Sequence, residues 1–236
     1  MELSRRLKAV IGLVSPGNRA ADVGCDHGFV SIALIQQKIC PSVIASDLRP
    51  GPLSRAAEHV QGAGLGDRIT LRLGDGLQVL AQGEADTIIL AGIGGRLLIR
   101  VLSESEKTAK SARELILSPQ SDLRAVRRFL RESGYTLQRE RFLTEDDKPY
   151  FVFRVLPEPD PATWTEAEYG FGKRIDPGDR APWLAFLDRE ETLRENILKG
   201  LQAGPAAQEA RAREIRSELD QIRERKRQQR MRGSRP

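Results

Sequence analysis

The sequence predicts a doubly wound α/β domain followed by a helical appendage. Three observations carry this prediction. Short apolar, β-branched runs alternate with helically spaced segments over the first 156 residues. The alternation stops at a proline-rich stretch, LPEPDPA, spanning Leu156–Ala162. From Arg180 onward, apolar residues recur at three- and four-residue steps. The length of 236 residues suits one core of about 150 residues plus an accessory piece. With 39% apolar and 30% charged residues, a disordered chain, a collagen and a disulfide scaffold are excluded.

The elements follow in order. Leu3–Leu13 places Leu3, Leu7, Val10 and Val14 on one face and predicts a leading helix. Strands are predicted at Arg19–Val23, Val43–Ser46, Ile69–Leu73, Thr87–Ala91 and Glu114–Leu117. Between them, Phe29–Gln37, Gly51–Gly62, Arg96–Leu102 and Asp122–Ser133 carry helical spacing. Such alternation gives a parallel sheet with helices on both faces. Tyr135–Arg141 and Pro149–Leu156 have no helix between them, so they add an antiparallel pair at the edge. Thr144, Glu145, Asp146, Asp147 and Lys148 form their connection.

Past the linker, a loop-rich segment is expected around Trp164, Tyr169, Phe171 and Pro177. A helix then runs from Arg180 through Trp183, Phe186, Leu187, Glu190, Leu193, Ile197, Leu198 and Leu201, and stops at Ala203, Gly204 and Pro205. A second helix carries Ile215, Leu219 and Ile222, so the two read as an antiparallel helical hairpin with a thin apolar seam. Domain boundaries are expected at 1–157 and 158–236.

The formal net charge is only +5, from 38 Lys+Arg against 33 Asp+Glu, but 30 of the cations are Arg and 8 are Lys. Arginine favours bidentate contact with phosphate and carboxylate, though genome composition produces the same bias. The excess is also localised. Arg211–Pro236 carries ten Arg/Lys against four Asp/Glu, a formal +6 that leaves −1 for the other 210 residues. A basic arm is the footprint of a nucleic-acid partner; the alternative is a solvated helix face. Two cysteines, Cys25 and Cys40, make neither a metal site nor a secreted framework. No metal is expected. No apolar run approaches 18 residues and the apolar stretch Ala9–Val14 is too short for a signal peptide, so the expectation is a cytoplasmic protein with no membrane contact.

Four loops carry the chemistry. Asp22-Val-Gly-Cys-Asp-His-Gly28 lies between a predicted strand and a predicted helix. The dinucleotide fingerprint G-x-G-x-x-G fails here, because Asp26 holds the middle glycine position and Phe29 the third. A carboxylate in that loop repels a pyrophosphate and suits a ligand with positive charge. S-adenosylmethionine has a sulfonium, an ammonium and no phosphate. Asp47 ends the second strand, 23 residues after Gly24, where an acid accepts hydrogen bonds from ribose hydroxyls. Leu73-Gly-Asp-Gly-Leu77 offers Asp75 to an adenine amino group, with Gly76 leaving room for the ring. Ala91-Gly-Ile-Gly-Gly95 puts Gly92 at the end of the fourth strand. Four successive strands thus end in Gly or Asp loops on the edge where open α/β sheets bind ligands.

DVGCDHG, LGDGL and AGIGGRL, with a leading LSRRL and a trailing LTEDDKPYF, resemble the bacterial tRNA (adenine-22-N1)-methyltransferases of the TrmK type. The resemblance covers residues 3–156. It implies a seven-stranded Rossmann-like class I methyltransferase domain that binds S-adenosylmethionine, an appended coiled coil, and methylation of adenine N1 in the tRNA D-arm. Ser118-Pro119-Gln120 departs from the family's Pro-Asn after the fifth strand, which lengthens the amide arm by one methylene.

On this reading the cofactor residues are Asp22, Gly24, Asp26, Asp47, Asp75, Gly76 and Gly92. Asp26 is the first catalytic candidate and His27 the second. Asp26 alternatively binds only the methionyl ammonium, and His27 alternatively only starts a helix. The target base must leave its stack, and Gln120 and Tyr150 are candidates to line its pocket. Arg5, Arg6 and Arg96 are candidates to hold phosphates at the mouth. Cys25 reads as a small loop residue and His59 as a surface residue. The rivals are a small-molecule or protein methyltransferase, a non-catalytic RNA-binding module on the same fold, and a nicotinamide enzyme, which Asp26 disfavours. A monomer is expected, with a hairpin-mediated dimer as the alternative.

Overall fold

The computed structural model describes residues 3–202 and 208–233. The chain divides into two compact units, Met1–Pro161 and Ala162–Pro236.

The first unit opens with α1 (Arg5–Ile11) and β1 (Ala20–Val23), followed by α2 (Phe29–Gln36), β2 (Val43–Asp47), α3 (Pro50–Gly62) and β3 (Ile69–Leu73). It continues with β4 (Thr87–Ala91), α4 (Gly95–Glu104), α5 (Glu106–Ser111), β5 (Glu114–Ser118), α6 (Leu123–Glu132), β6 (Thr136–Glu145) and β7 (Lys148–Leu156). The strands form one seven-stranded sheet in the order β3-β2-β1-β4-β5-β7-β6. β1 to β5 are parallel, and β7 runs antiparallel to both β5 and β6. The mixed Rossmann-like sheet is the one expected. β1 and β5 are buried at every position, which is why they read as continuous apolar runs rather than alternating ones. Strand order reverses between β1 and β4, and that switch point opens a crevice outside the carboxyl ends of the strands.

Two local features sharpen the reading. β6 and β7 extend to Glu145 and Lys148, which pair directly. Asp146 and Asp147 both take positive φ, +48° and +58°, the signature of a two-residue type I′ turn. Gly95, at the start of α4, has no room for a side chain: a Cβ there would lie 2.4 Å from the Ser121 carbonyl oxygen. This glycine therefore sets how closely α4 approaches the loop ahead of α6.

Two polar clusters of the core are paired. Glu114, 1% exposed at the start of β5, accepts hydrogen bonds from the Ser15 backbone and hydroxyl, each at 2.8 Å, and from Thr87 Oγ1 at 2.8 Å. Arg127 and Glu140 are both fully buried and meet at 2.9 Å. Breaking such a pair leaves an uncompensated charge in the core.

The second unit holds α7 (Glu166–Phe171), α8 (Arg180–Gln202) and α9 (Glu209–Gly233). α8 and α9 are antiparallel, since Arg194 pairs with Glu218 while Lys226 pairs with Asp188. Trp183 is fully buried and its indole N–H donates to the Phe171 carbonyl at 2.9 Å. Ala212, Ile215, Leu219 and Ile222 are buried along α9. Three expectations need correction. Leu193 and Ile197, counted in the apolar seam, are 52% and 37% exposed. The segment expected as loop contains α7, held by a capping box between Thr165 and Glu168. A further helix, α5, lies between β4 and β5. The expected stop at Ala203, Gly204 and Pro205 lies outside the described residues.

Candidate active site

The carboxyl ends of all five parallel strands surround one cavity of about 560 Å³. Asp22 to His27 span the end of β1, Asp47 to Arg49 span the end of β2, Gly74 to Gly76 follow β3, Leu90 to Ile93 span the end of β4, and Gln120 follows β5. Arg6 and Leu7 of α1 and Leu97, Arg100 and Val101 of α4 complete the wall.

The β1 loop is shaped from the backbone outward. Gly24 takes φ +78° and donates its N–H to the Ser46 carbonyl at 2.8 Å. Asp26 also holds a left-handed φ, +50°, a conformation that favours glycine and that Asp tolerates better than most residues. Its N–H donates to Asp47 Oδ2 at 3.2 Å, while the Arg49 N–H donates to Asp47 Oδ1 at 2.9 Å. Each carboxylate oxygen of Asp47 keeps a further lone pair for a ligand hydroxyl. The Asp26 side chain is exposed and lies 3.7 Å from His27 Nε2.

Asp22 forms the buried floor. It is 3% exposed and accepts from the Ser31 hydroxyl at 2.7 Å. Burial pushes its carboxyl up to about 6, nearby Asp47 adds to the rise, and the Ser31 hydrogen bonds oppose it. A carboxylate so placed gains from a cationic ligand. Burial also pushes the Cys25 thiol well above its ordinary value, so it stays protonated, as a small loop residue would.

Ten of the site residues expected from sequence line this cavity: Asp22, Gly24, Asp26, His27, Asp47, Asp75, Gly76, Gly92, Arg6 and Gln120. Three do not. Arg5 is turned to the β6 end, its guanidinium donating to the Thr144 carbonyl at 3.0 Å and its backbone N–H to Glu145 Oε1 at 2.6 Å. Arg96 projects into solvent, 90% exposed, 3.7 Å from Asp122. Tyr150 lies beneath Arg6, whose guanidinium carbon is 5.6 Å from the ring centre. Gly92, at φ +84°, gives Arg6 its room, since a Cβ there would sit 3.0 Å from Arg6 Nη1. The Gln120 N–H donates to the Ile93 carbonyl at 2.9 Å and the Gly92 N–H to the Ser118 carbonyl at 3.0 Å, so the loops after β4 and β5 are stitched together.

Sequence reasoning missed the apolar wall. Leu48 and Leu97 line the cavity while 60% and 40% exposed. Large apolar side chains left open on a cavity wall suit a flat ring. The signal for Leu48 was its place immediately after Asp47.

The cavity is rich in carboxylates, apolar on one wall, and has an acid where a pyrophosphate site needs glycine. The family model of the methyltransferase domain matches residues 3–153. The chain belongs to that family. Among its relatives, the tRNA (adenine(22)-N(1))-methyltransferase of Bacillus subtilis is 34% identical over 152 residues, 64% of this chain and 64% of that protein. The match thus spans just under two thirds of that relative's length. Structural likeness extends further. The crystal structure of the B. subtilis tRNA methyltransferase TrmK superposes with a TM-score of 0.82 at 27% identity, over 94% of this chain and 98% of that one. A Streptococcus pneumoniae protein solved in complex with S-adenosyl-L-methionine gives 0.82 at 26% identity, over 94% of this chain and 99% of that chain. The resemblance to TrmK therefore covers the helical second unit as well as the methyltransferase domain.

Proposed function

We propose that this protein methylates N1 of an adenine in tRNA, at position 22 of the D-arm, using S-adenosylmethionine. The observation that carries the reading is the set of four acids, Asp22, Asp26, Asp47 and Asp75, on the ends of consecutive strands around one cavity. The likeness to the B. subtilis enzymes supports the choice of substrate.

The residues present fit the cofactor. Asp47 has lone pairs for the ribose hydroxyls, Asp75 can accept from the adenine amino group, and Leu48 and Leu97 offer apolar surface to the ring. Gly24, with open space where a Cβ would be, keeps the β1 loop open to it, while Gly76 and Gly92 let Val101 and Arg6 pack close to the loops after β3 and β4. Asp22 and Asp26 face the cationic end. When bound, S-adenosylmethionine supplies a methyl carbon made electrophilic by its sulfonium.

Adenine N1 carries its lone pair at neutral pH, so the protein's task is positioning rather than activation. Gln120 provides an amide for the edge of the flipped base, and Arg6, backed by Tyr150, provides a flat cationic surface beside it. Positive charge develops on the base as the methyl arrives. The exposed Asp26 carboxylate stabilises that charge or accepts a proton from the exocyclic amine, and His27, 3.7 Å away, is the second candidate. Arg5 and Arg96, both outside the cavity, are left to contact phosphates of the RNA. The second unit gives the enzyme its tRNA-binding arm, and the protein acts as a cytoplasmic monomer.

Incubation with labelled S-adenosylmethionine and unmodified tRNA, followed by nucleoside analysis, tests this. Label is expected in 1-methyladenosine, and replacing adenine 22 should abolish it. Label in protein or in another nucleoside would overturn the proposal.

A further inference from the structure

The chain has only two histidines, and the fold brings them together beside the cavity. His59 lies on α3, 32 residues beyond His27, with the two ring centres 5.8 Å apart. Its Nδ1 is 2.9 Å from the His27 carbonyl oxygen. A carbonyl only accepts, so Nδ1 carries the proton and His59 is the donor. The His59 ring also stacks on Phe29 at 5.0 Å and 25°, and Phe29 stacks on His27 at 5.4 Å and 12°. One turn earlier on α3, Ala56 meets the same loop, and a Cβ on Gly28 would lie 3.2 Å from the Ala56 Cβ.

α3 therefore grips the Asp26–Phe29 turn at three consecutive points: His27 through its carbonyl, Gly28 by close approach, and Phe29 through its ring. The turn needs such a brace. Asp26 holds a positive φ there, and that backbone geometry aims its carboxylate. A residue in a sparsely populated conformation persists only when its surroundings over-determine it.

We infer that His59 is a positioning residue for the cofactor site, acting through its hydrogen bond to the His27 carbonyl. It touches neither cofactor nor substrate. The inference rests on the cofactor reading above and adds a residue to it from outside the cavity wall.

The test uses three variants of the full chain. His59→Ala removes donor and ring, His59→Phe keeps only the ring, and His59→Asn restores a donor near the Nδ1 position. The Kd for S-adenosylmethionine is measured by calorimetry, alongside amide hydrogen exchange of residues 26–30. His59→Ala and His59→Phe are expected to weaken binding by about threefold to tenfold, the worth of one neutral hydrogen bond. His59→Asn should recover most of it, and exchange in the turn should quicken in the first two variants alone. A change under about twofold in His59→Ala, wild-type affinity in His59→Phe, or no recovery in His59→Asn would overturn the inference. If the unmodified protein fails to bind S-adenosylmethionine, the functional reading falls separately. Hydrogen exchange then still decides whether His59 braces the turn, with equal rates in all variants counting against it.

Discussion

Asp22 makes the native state sensitive to pH in a direction unusual for an acid. Its carboxyl is raised from the ordinary 3.8 to about 6, chiefly by burial. The native state thus holds this proton more tightly than the unfolded chain does. Its contribution to stability is fullest below pH 4 and is lost as the pH rises through about 6. The linkage relation gives a penalty of about 3 kcal/mol at pH 8 and about 1 kcal/mol at pH 4.5. Asp22→Asn cannot ionise and keeps an oxygen for the Ser31 hydroxyl to donate to. Relative to the wild type it should gain about 2 kcal/mol between pH 4.5 and pH 8. Any fixed cost of burying the amide cancels in that difference. Urea unfolding of the cofactor-free protein at the two pH values measures it. An unchanged gap between the two proteins would refute the argument that burial of this carboxyl destabilises the fold. The variant should also bind S-adenosylmethionine more weakly, because the acid that destabilises the empty fold is one that a cationic ligand rewards.

Asp26→Ala should abolish methyl transfer to tRNA in a single-turnover assay, and near-normal activity would remove Asp26 from the mechanism. Gly95→Ala should destabilise the first unit by about 1–3 kcal/mol, because its Cβ meets the Ser121 backbone oxygen; chemical denaturation checks this. Removing residues 162–236 should weaken tRNA binding by about tenfold or more while the Kd for S-adenosylmethionine stays within about twofold, read by filter binding and calorimetry.

Much of the first unit was legible because its signals are local. β5 announces itself as Glu114-Leu-Ile-Leu-Ser118, apolar without alternation because both faces are covered. The site acids were legible for a related reason: each stands at the end of a strand whose run is easy to see. α5 was not, since only Ala109 of its six residues is buried and no periodicity forms. α7 left a signal that went unread, the Thr165–Glu168 capping box. The neighbours Arg5 and Arg6 show a deeper limit. Adjacent residues on a helix point about 100° apart, so one reaches the cavity and the other reaches Thr144, and no property of the pair says which. His59 shows the same limit across 32 residues. Its partner is a backbone carbonyl, which has no sequence signature.

The ion pairs of the second unit bear on how this protein responds to salt. Of the cations on α9 from Arg211 to Arg227, Arg223 and Lys226 are held by Asp188, Glu191 and Glu195 of α8, Arg211 by Glu214, and Arg225 is buried over Trp183. The exposed Arg213, Arg216 and Arg227 remain on that described stretch. Three phosphate contacts on RNA give a log–log salt slope near −2, whereas all seven Arg/Lys of the same stretch would give about −5. The helix pair carries its own counterions as carboxylates of the chain, Asp188, Glu191 and Glu195 on α8 and Glu214 on α9, and these do not diffuse away when RNA binds. Affinity that rests on it should therefore survive rising ionic strength better than the arginine content suggests.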